Sequence, residues 1–462
     1  MTRAPNLPNM SSPVGGEAPK GNRLLPKLLS GLPPALSYAS YRRYWAGAVA
    51  SVAGYSLVYF TQGWLIHELT PSPLYLGLVA AANAVPAFLL TFVGGVYADR
   101  LDRRMIIFGS QVILATLAAI MAAINFFDVV EPWHIIAIAA GVGAVSAFDF
   151  PARQAFYPSL VDRRDLTSAV AMNALVWQGV RFAAPAAAGF LVASISTSAV
   201  FVIGGIGFGF MAILLMGVRP FVRPGPEPGD RSATDEAERK TAARELAEGL
   251  SFVSKKPEFK FLIAMVMFSS FFGTGYLILM PVFAVDILDV GARGLGWMLA
   301  ASGAGSITVT LWMASRGRLK GSGALVVGGA ALSGVSVAGF ALTTRYIGSY
   351  PLAIGLMFTT GLLTSTYMIS IMSALQAMVP DHLRGRVMAL YGISWSVMLL
   401  GGLQAGLIAH FVGVPAAVAI GGLLVTAFAL GPALANPTIR HLKADSGESF
   451  TIGREATRTS GP

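Results

Sequence analysis

Apolar stretches of about 20 residues, each bounded by charged or turn residues, recur along almost the whole chain, and a helix of that length spans the hydrocarbon layer of a bilayer. Backbone polar groups in lipid must be satisfied within the segment, so the stretches are expected to be transmembrane helices. They fall near 43–68, 73–97, 105–127, 133–156, 167–193 and 197–218, and again near 260–287, 294–315, 322–344, 351–378, 387–411 and 414–435. Only 12% of the residues are charged, against about 25% in soluble domains, which excludes a soluble enzyme. The absence of cysteine excludes disulfides, thiolate metal sites and cysteine nucleophiles together.

The net charge of +10 is a matter of placement. With both termini and the even-numbered loops on one side of the membrane, 30 of the 33 lysines and arginines lie on that side. Short loops rich in these residues stay cytoplasmic, so both ends are expected in the cytoplasm and no nucleic-acid surface is implied. Arg293 and Arg345 fall on the opposite side, and Arg181 falls inside the fifth stretch. Residues 1–40 lack the apolar core of a signal peptide and read as a disordered cytoplasmic tail. From 219 to 258 a polar linker divides the chain, and 234–256 within it has the spacing of an amphipathic surface helix. The expected organisation is thus a tail, a six-helix bundle over 41–218, the linker, a second bundle over 259–435 and a cytoplasmic tail over 436–462.

The two parts are related. A shift of 218 residues places Tyr41-Arg42 on Phe259-Lys260, Glu68 on Asp286 and Arg100-Leu101 on Arg318-Leu319. Two parallel repeats imply a pseudo-two-fold axis along the membrane normal and a shared cavity near the midplane. Such a duplication suits a molecule whose halves rock about a central site.

The first short cytoplasmic loop carries Gly95-Val96-Tyr97-Ala98-Asp99-Arg100-Leu101-Asp102-Arg103-Arg104. This run resembles the G-x-x-x-D-R-x-x-R-R signature of the major facilitator superfamily, at the position after the second helix that the superfamily requires. The loop Arg316-Gly317-Arg318-Leu319-Lys320 is its degenerate counterpart. Trp64 to Leu74, Phe148 to Ala155 and Pro380 to Val387 are similar to the branch of enterobactin-type exporters and transmembrane secretion effectors. The resemblance covers about 41–435. It implies an all-α membrane fold of twelve helices in two pseudo-symmetric bundles, and efflux from a bacterial cytoplasm. It further implies a latch in which Asp99 meets the eleventh helix near Arg386 while Arg103 meets an acid on the fourth. In chemical terms Gly95 permits close helix packing, Asp99 suits a positive helix end, and Arg100, Arg103 and Arg104 suit carboxylates or lipid phosphates. The alternative for these arginines is plain topology-setting charge.

Ionisable groups inside a bilayer are costly and therefore candidates for function. Arg181 is the deepest, as a cavity counter-charge, a coupling residue or a structural pair. It precedes Pro185 and Gly189, in a run similar to the G-P-x-x-G-G kink element of superfamily antiporters, with alanine at two of the glycines. Asp149 lies about 10 Å inside the cytoplasmic end of its helix at 1.5 Å per residue. Arg153 follows one turn later, so the two can pair with each other or one can meet Arg103, and a gate role is favoured over proton carriage. Glu68 and Asp286 form either a rim with a proton entry point or two solvated helix ends. Gln62 and Asn173 are candidate cavity hydrogen-bonders or helix–helix contacts.

His67, His134, His382, His410 and His441 are isolated, so no metal is expected, and no phosphate-binding G-x-x-x-x-G-K-[ST] run occurs. The expectation is therefore a cofactor-free secondary transporter. It is driven by a proton gradient, exports a small amphipathic molecule (a siderophore, drug or lipid-like metabolite), and has the bilayer as its other partner, with no nucleic acid and no second copy. An importer or facilitator of the same fold, or a non-transporting receptor, is the alternative.

Overall fold

The computed structural model describes residues 33–219, 250–254, 256–316 and 322–435. Residues 1–32, the C-terminal tail and most of the linker, including most of the expected amphipathic helix, lie outside them, as do the side chains of Asp99, Arg100 and Arg181. Residues 34–40 of the expected disordered tail are instead ordered, with a 3-10 turn over Pro34–Ser37 and the first helix beginning at Ala39.

The described chain is all helical. The first half holds α1 (Ala39–Leu69), α2 (Pro73–Arg100), α3 (Arg103–Phe126), α4 (Pro132–Phe156), α5 (Leu166–Ser194) and α6 (Thr197–Met216). The second half opens with α7 (Pro257–Phe268) and α8 (Tyr276–Val282), each followed by a five-residue π-helical stretch, Ser269–Gly273 and Phe283–Ile287. It continues through α9 (Gly291–Arg316), α10 (Ser322–Tyr346), α11 (Tyr350–Met378), α12 (Asp381–Val412) and α13 (Val414–Ala435). The expected single helix over 260–287 is thus broken, with Pro281 inside α8 and a wide turn on either side of it. The other boundaries agree with the apolar stretches to within a few residues, except that α12 begins earlier, through its polar first turns.

Local chemistry sets the ends. The Asp102 and Ser196 side chains accept hydrogen bonds from the backbone N–H groups of Arg104 and Ala199 and cap α3 and α6. Glu131 and His134 make a reciprocal capping box on α4, and Pro73, Pro132 and Pro257 occupy first helical positions, where a missing N–H costs nothing.

Among the described residues, nine helical stretches are long and apolar enough to cross a membrane, which makes this a multi-pass integral membrane protein. α1 falls short of that measure, interrupted by polar residues such as Gln62 and His67, and α5 and α12 contribute the shorter apolar stretches Ala183–Ser194 and Leu400–Val412.

Within each half the helices pack in related pairs, α2 on α4 and α3 on α6 in the first, α9 on α11 and α10 on α13 in the second. Between the halves two seams dominate, α2 on α12 and α5 on α9. The 218-residue shift carries α2 onto α9 and α5 onto α12, so the seams interchange.

The core is unequal at its two ends. At the end away from the chain termini, one continuous cluster runs through both halves, from Leu57, Ile66 and Val79 to Met280, Leu295 and Ala409. At the terminal end the buried apolar side chains fall into two separate clusters. One belongs to the first half (Tyr41, Ile107, Phe156, Met211) and one to the second (Phe259, Val326, Ile371, Ala429).

Candidate functional site

Three features of the site stand out: a buried polar ring in the first half, the glycine seams, and a polar contact between the halves.

The ring lies among α1, α3 and α4. Arg153 Nε donates to Asp149 Oδ2 at 2.5 Å, one helical turn earlier, while Arg153 Nη2 donates to Ser51 Oγ at 2.7 Å. Ser51 Oγ donates in turn to Gln111 Oε1 at 2.7 Å, and Gln111 Nε2 donates to Asp149 Oδ1 at 3.1 Å, closing the circuit. The Asp149 and Arg153 side chains are 13% and 8% exposed. Both carboxylate oxygens are used, so the charge is compensated in a place where an unpaired carboxylate would be expensive. Of the two pairings open from the sequence, the pair within α4 is the one made. Nothing in the sequence marks Ser51 and Gln111, because an isolated Ser or Gln in an apolar stretch carries no local signal of a partner on a distant helix.

Arg103 reaches α4 at the carbonyl oxygen of Ala155, 3.3 Å away. Arg104 donates to the carbonyl of Met216 at 2.6 Å, where α6 ends and leaves carbonyl groups free. Close packing in this loop region falls to Gly94, where a Cβ would overlap the Ala147 carbonyl; at Gly95 a Cβ would meet no described atom within 4 Å. Arg386 is half-buried at the start of α12. At the same end the N-terminal segment is tied down. Tyr38 Oη donates to Asp165 Oδ2 at 2.7 Å, and the Ala35 N–H donates to Ser168 Oγ at 3.1 Å. Desolvation and then this carboxylate raise the pKa of the Tyr38 hydroxyl.

The seams meet backbone to backbone. A Cβ on Gly189 would overlap the carbonyl oxygen of Ala292, and one on Gly296 would lie 2.8 Å from the carbonyl of Pro185. In the other seam a Cβ on Gly77 would lie 3.1 Å from the Gly402 carbonyl, and one on Gly406 would lie 2.8 Å from the Pro73 carbonyl. Only glycine allows this approach. α5 runs unbroken through Pro185, and what Gly189 does there is admit α9.

Glu68 and Asp286 do not meet. Glu68 is exposed and accepts from Trp64 Nε1 at 2.6 Å, whereas Asp286 Oδ1 lies 3.3 Å from Nε2 of the buried His67. In the sequence His67 is one more isolated histidine, with nothing nearby to mark a partner.

Gln62 is 2% exposed and its Nε2 has no hydrogen-bond partner among the described residues. It lines a small cavity with Tyr55, Tyr59, Asn83, Met121 and Phe208. Asn173 is half-buried on α5. An amide nitrogen buried without an acceptor costs about 1–3 kcal/mol. Gln62→Leu is therefore expected to leave stability unchanged or raise it by about 1 kcal/mol, read as the melting temperature in detergent. A lower melting point would mean that the amide is part of the fold.

Among the described residues, no group of three or more His, Asp or Glu side chains is placed to hold a metal ion.

A helical membrane molecule with two related halves and a joint between them has the construction of a major facilitator transporter, and comparison with known proteins bears on that class directly. The profile of the transmembrane secretion effector family matches residues 30–452. The chain belongs to that family of major facilitator transporters, and is a transport protein and not an enzyme. It is 25% identical to an uncharacterised MFS-type transporter of Bacillus subtilis over 364 residues, which is 78% of this chain and 84% of the relative. It is also 25% identical to the multidrug efflux pump Tap of Mycolicibacterium fortuitum, over 80% of this chain and 89% of that protein. A staphyloferrin A transporter of Staphylococcus aureus matches at 29% over 33% of this chain and 38% of its own. Among solved structures, a bacterial homologue of the iron transporter ferroportin in an inward-facing state shares the fold. Its TM-score is 0.63 at 15% identity, covering 87% of this chain and 98% of that one.

Proposed function

We propose that this protein exports a small amphipathic molecule, of the siderophore, drug or lipid-like class, by alternating access driven by a proton gradient. In this reading α1 to α13 make twelve membrane crossings, with α7, α8 and their π-helical stretches counting as one. They form two six-helix bundles over 41–218 and 259–435, in a monomer of the bacterial cytoplasmic membrane with both termini in the cytoplasm.

The observation that carries the proposal is the unequal core. One apolar cluster and two glycine seams join the halves at the end away from the termini, and separate clusters serve each half at the terminal end. Bundles joined at one end and individually packed at the other can exchange which end is joined without unfolding either half. Bistable contact surfaces of this kind turn small shifts into discrete states.

The proposed parts follow from position. Gly95, Asp99, Arg100, Arg103, Arg104 and Arg386 form the cytoplasmic latch, with Asp149 and Arg153 bracing the helices that carry it. Gln62, Asn173 and Arg181 face the solute, Pro185 and Gly189 shape the seam, and Glu68 and Asp286 lie at the far rim. Efflux is the favoured direction because the Tap relative, similar over most of both chains, is an efflux pump.

The test is counterflow in inside-out vesicles under an imposed pH gradient. The solutes tried are those that build up in cells lacking the protein. Uptake into the vesicles that collapses with the gradient is expected. Uptake that ignores the gradient, or that runs only the other way, would replace the exporter with a facilitator or an importer.

A further inference from the structure

His67 and Asp286 lie 219 residues apart, on α1 and on the π-helical stretch after α8, at the end where the two halves share one core. This hydrogen bond joins the two halves. Its geometry is poor for a structural contact. The distance is 3.3 Å and the Asp286 side chain is 46% exposed, so water screens the carboxylate. The imidazole is 3% exposed, and with Nε2 turned to the carboxylate, its Nδ1 is buried with no partner among the described residues. Glu68, the adjacent acid on α1, is engaged by Trp64. Arg293 at the start of α9 lies over the Phe190 ring. Neither acts as a second partner for the ring.

A leucine or phenylalanine at position 67 would hold two apolar surfaces together better than a histidine with one weak bond and one orphaned nitrogen. The imidazole therefore gains little from the joined state, and it recovers water on both nitrogens when the ends part. We propose that His67 and Asp286 form a deliberately weak latch. The bond registers the two halves as they close, and the unpaired Nδ1 keeps the closed form from becoming too stable to reopen. The inference rests on the alternating-access reading. A transporter needs its two states within a small factor of each other, and a side chain that biases them in both directions at once holds that balance.

This makes an unusual prediction for one contact: its two partners respond in opposite directions. His67→Leu removes the orphaned nitrogen together with the bond and is expected to shift the population roughly tenfold toward the joined state. Asp286→Ala leaves both ring nitrogens without a partner and is expected to shift it roughly tenfold toward the parted state. A side chain that merely supports the fold would give losses of the same sign.

The chain has no cysteine, so two spin labels can be placed on an otherwise native background, through Pro71→Cys in the α1–α2 loop and Ile347→Cys in the α10–α11 loop. The distance distribution between them is measured by double electron–electron resonance, with the protein in lipid nanodiscs. Two populations are expected, with opposite shifts in the two variants. If His67→Leu does not insert, His67→Phe carries the same expectation. Two populations that shift in the same direction, or do not respond, would overturn the latch and leave alternating access standing. A single distance in the native sequence and in every variant would overturn both.

Discussion

Gly189→Ala is expected to lower transport at least tenfold and Gly189→Leu to abolish it, with the protein still inserted and each half still folded. A Cβ at this position runs into the backbone carbonyl of Ala292, and no rotamer change moves a backbone carbonyl. The halves must separate instead, and overpacking of this kind costs about 1–3 kcal/mol for a small group. That cost falls only on the joined state, so it appears as a shifted population and a lost step in the cycle, with little loss of fold. Gly77→Leu in the opposite seam is expected to behave in the same way. Gly355→Leu, where a Cβ meets nothing within 4 Å, serves as the control and should transport normally. Flux in proteoliposomes and the spacing of labels at the far rim report the two consequences. Normal flux in Gly189→Leu would show that the seam need not close.

The second large effect is on stability. Arg153→Met is expected to destabilise the protein by about 3–5 kcal/mol, because it strands the Asp149 carboxylate in a site that is almost dry. Asp149→Leu alone is expected to be damaging for the converse reason. The double variant should recover most of the loss, since replacing both charges with apolar groups of similar volume is often close to neutral. The measurement is the melting temperature and surviving yield in detergent, arranged as a double-mutant cycle. Strictly additive losses would mean that the two side chains do not depend on each other, contrary to the closed ring through Ser51 and Gln111.

These two results separate what belongs to each half from what belongs to the joint between them. The ring lies wholly within the first half and draws on no residue of the second. The glycine seams and the His67–Asp286 bond exist only where the halves meet, so their strength sets a population.

Much of this was legible in the residues. The apolar stretches predicted every helix boundary to within a few residues except in two places. One is the 260–287 region, where Pro281 and the π-helical stretches break a segment whose hydropathy is uniform. The other is the start of α12, where Asp381 and Arg384 are helical despite being charged. The Gly95 to Arg104 run pointed to the family that the profile identifies. The pairing of Asp149 with Arg153 is open from the sequence, because a spacing of four residues puts two side chains on one helical face.

The remaining contacts had no signal in a single sequence. In water, a helix shows which face it buries through the alternation of polar and apolar residues. In lipid, the outward face is as apolar as the inward one, so that alternation vanishes and the rotation of each helix about its axis goes unrecorded. The sequence by itself determined, through hydropathy and charge, that this chain is a multi-pass helical membrane protein and where most of its helices start and stop, and, through the Gly95 to Arg104 run, which family signature it carries. Only the packed structure decided that Asp286 faces His67 and not Glu68, that Ser51 and Gln111 close a ring around Asp149, and that Gly189 serves a seam. Each of these depends on how helices distant in sequence are turned toward one another, and in a bilayer that turning is set by contact between helices alone.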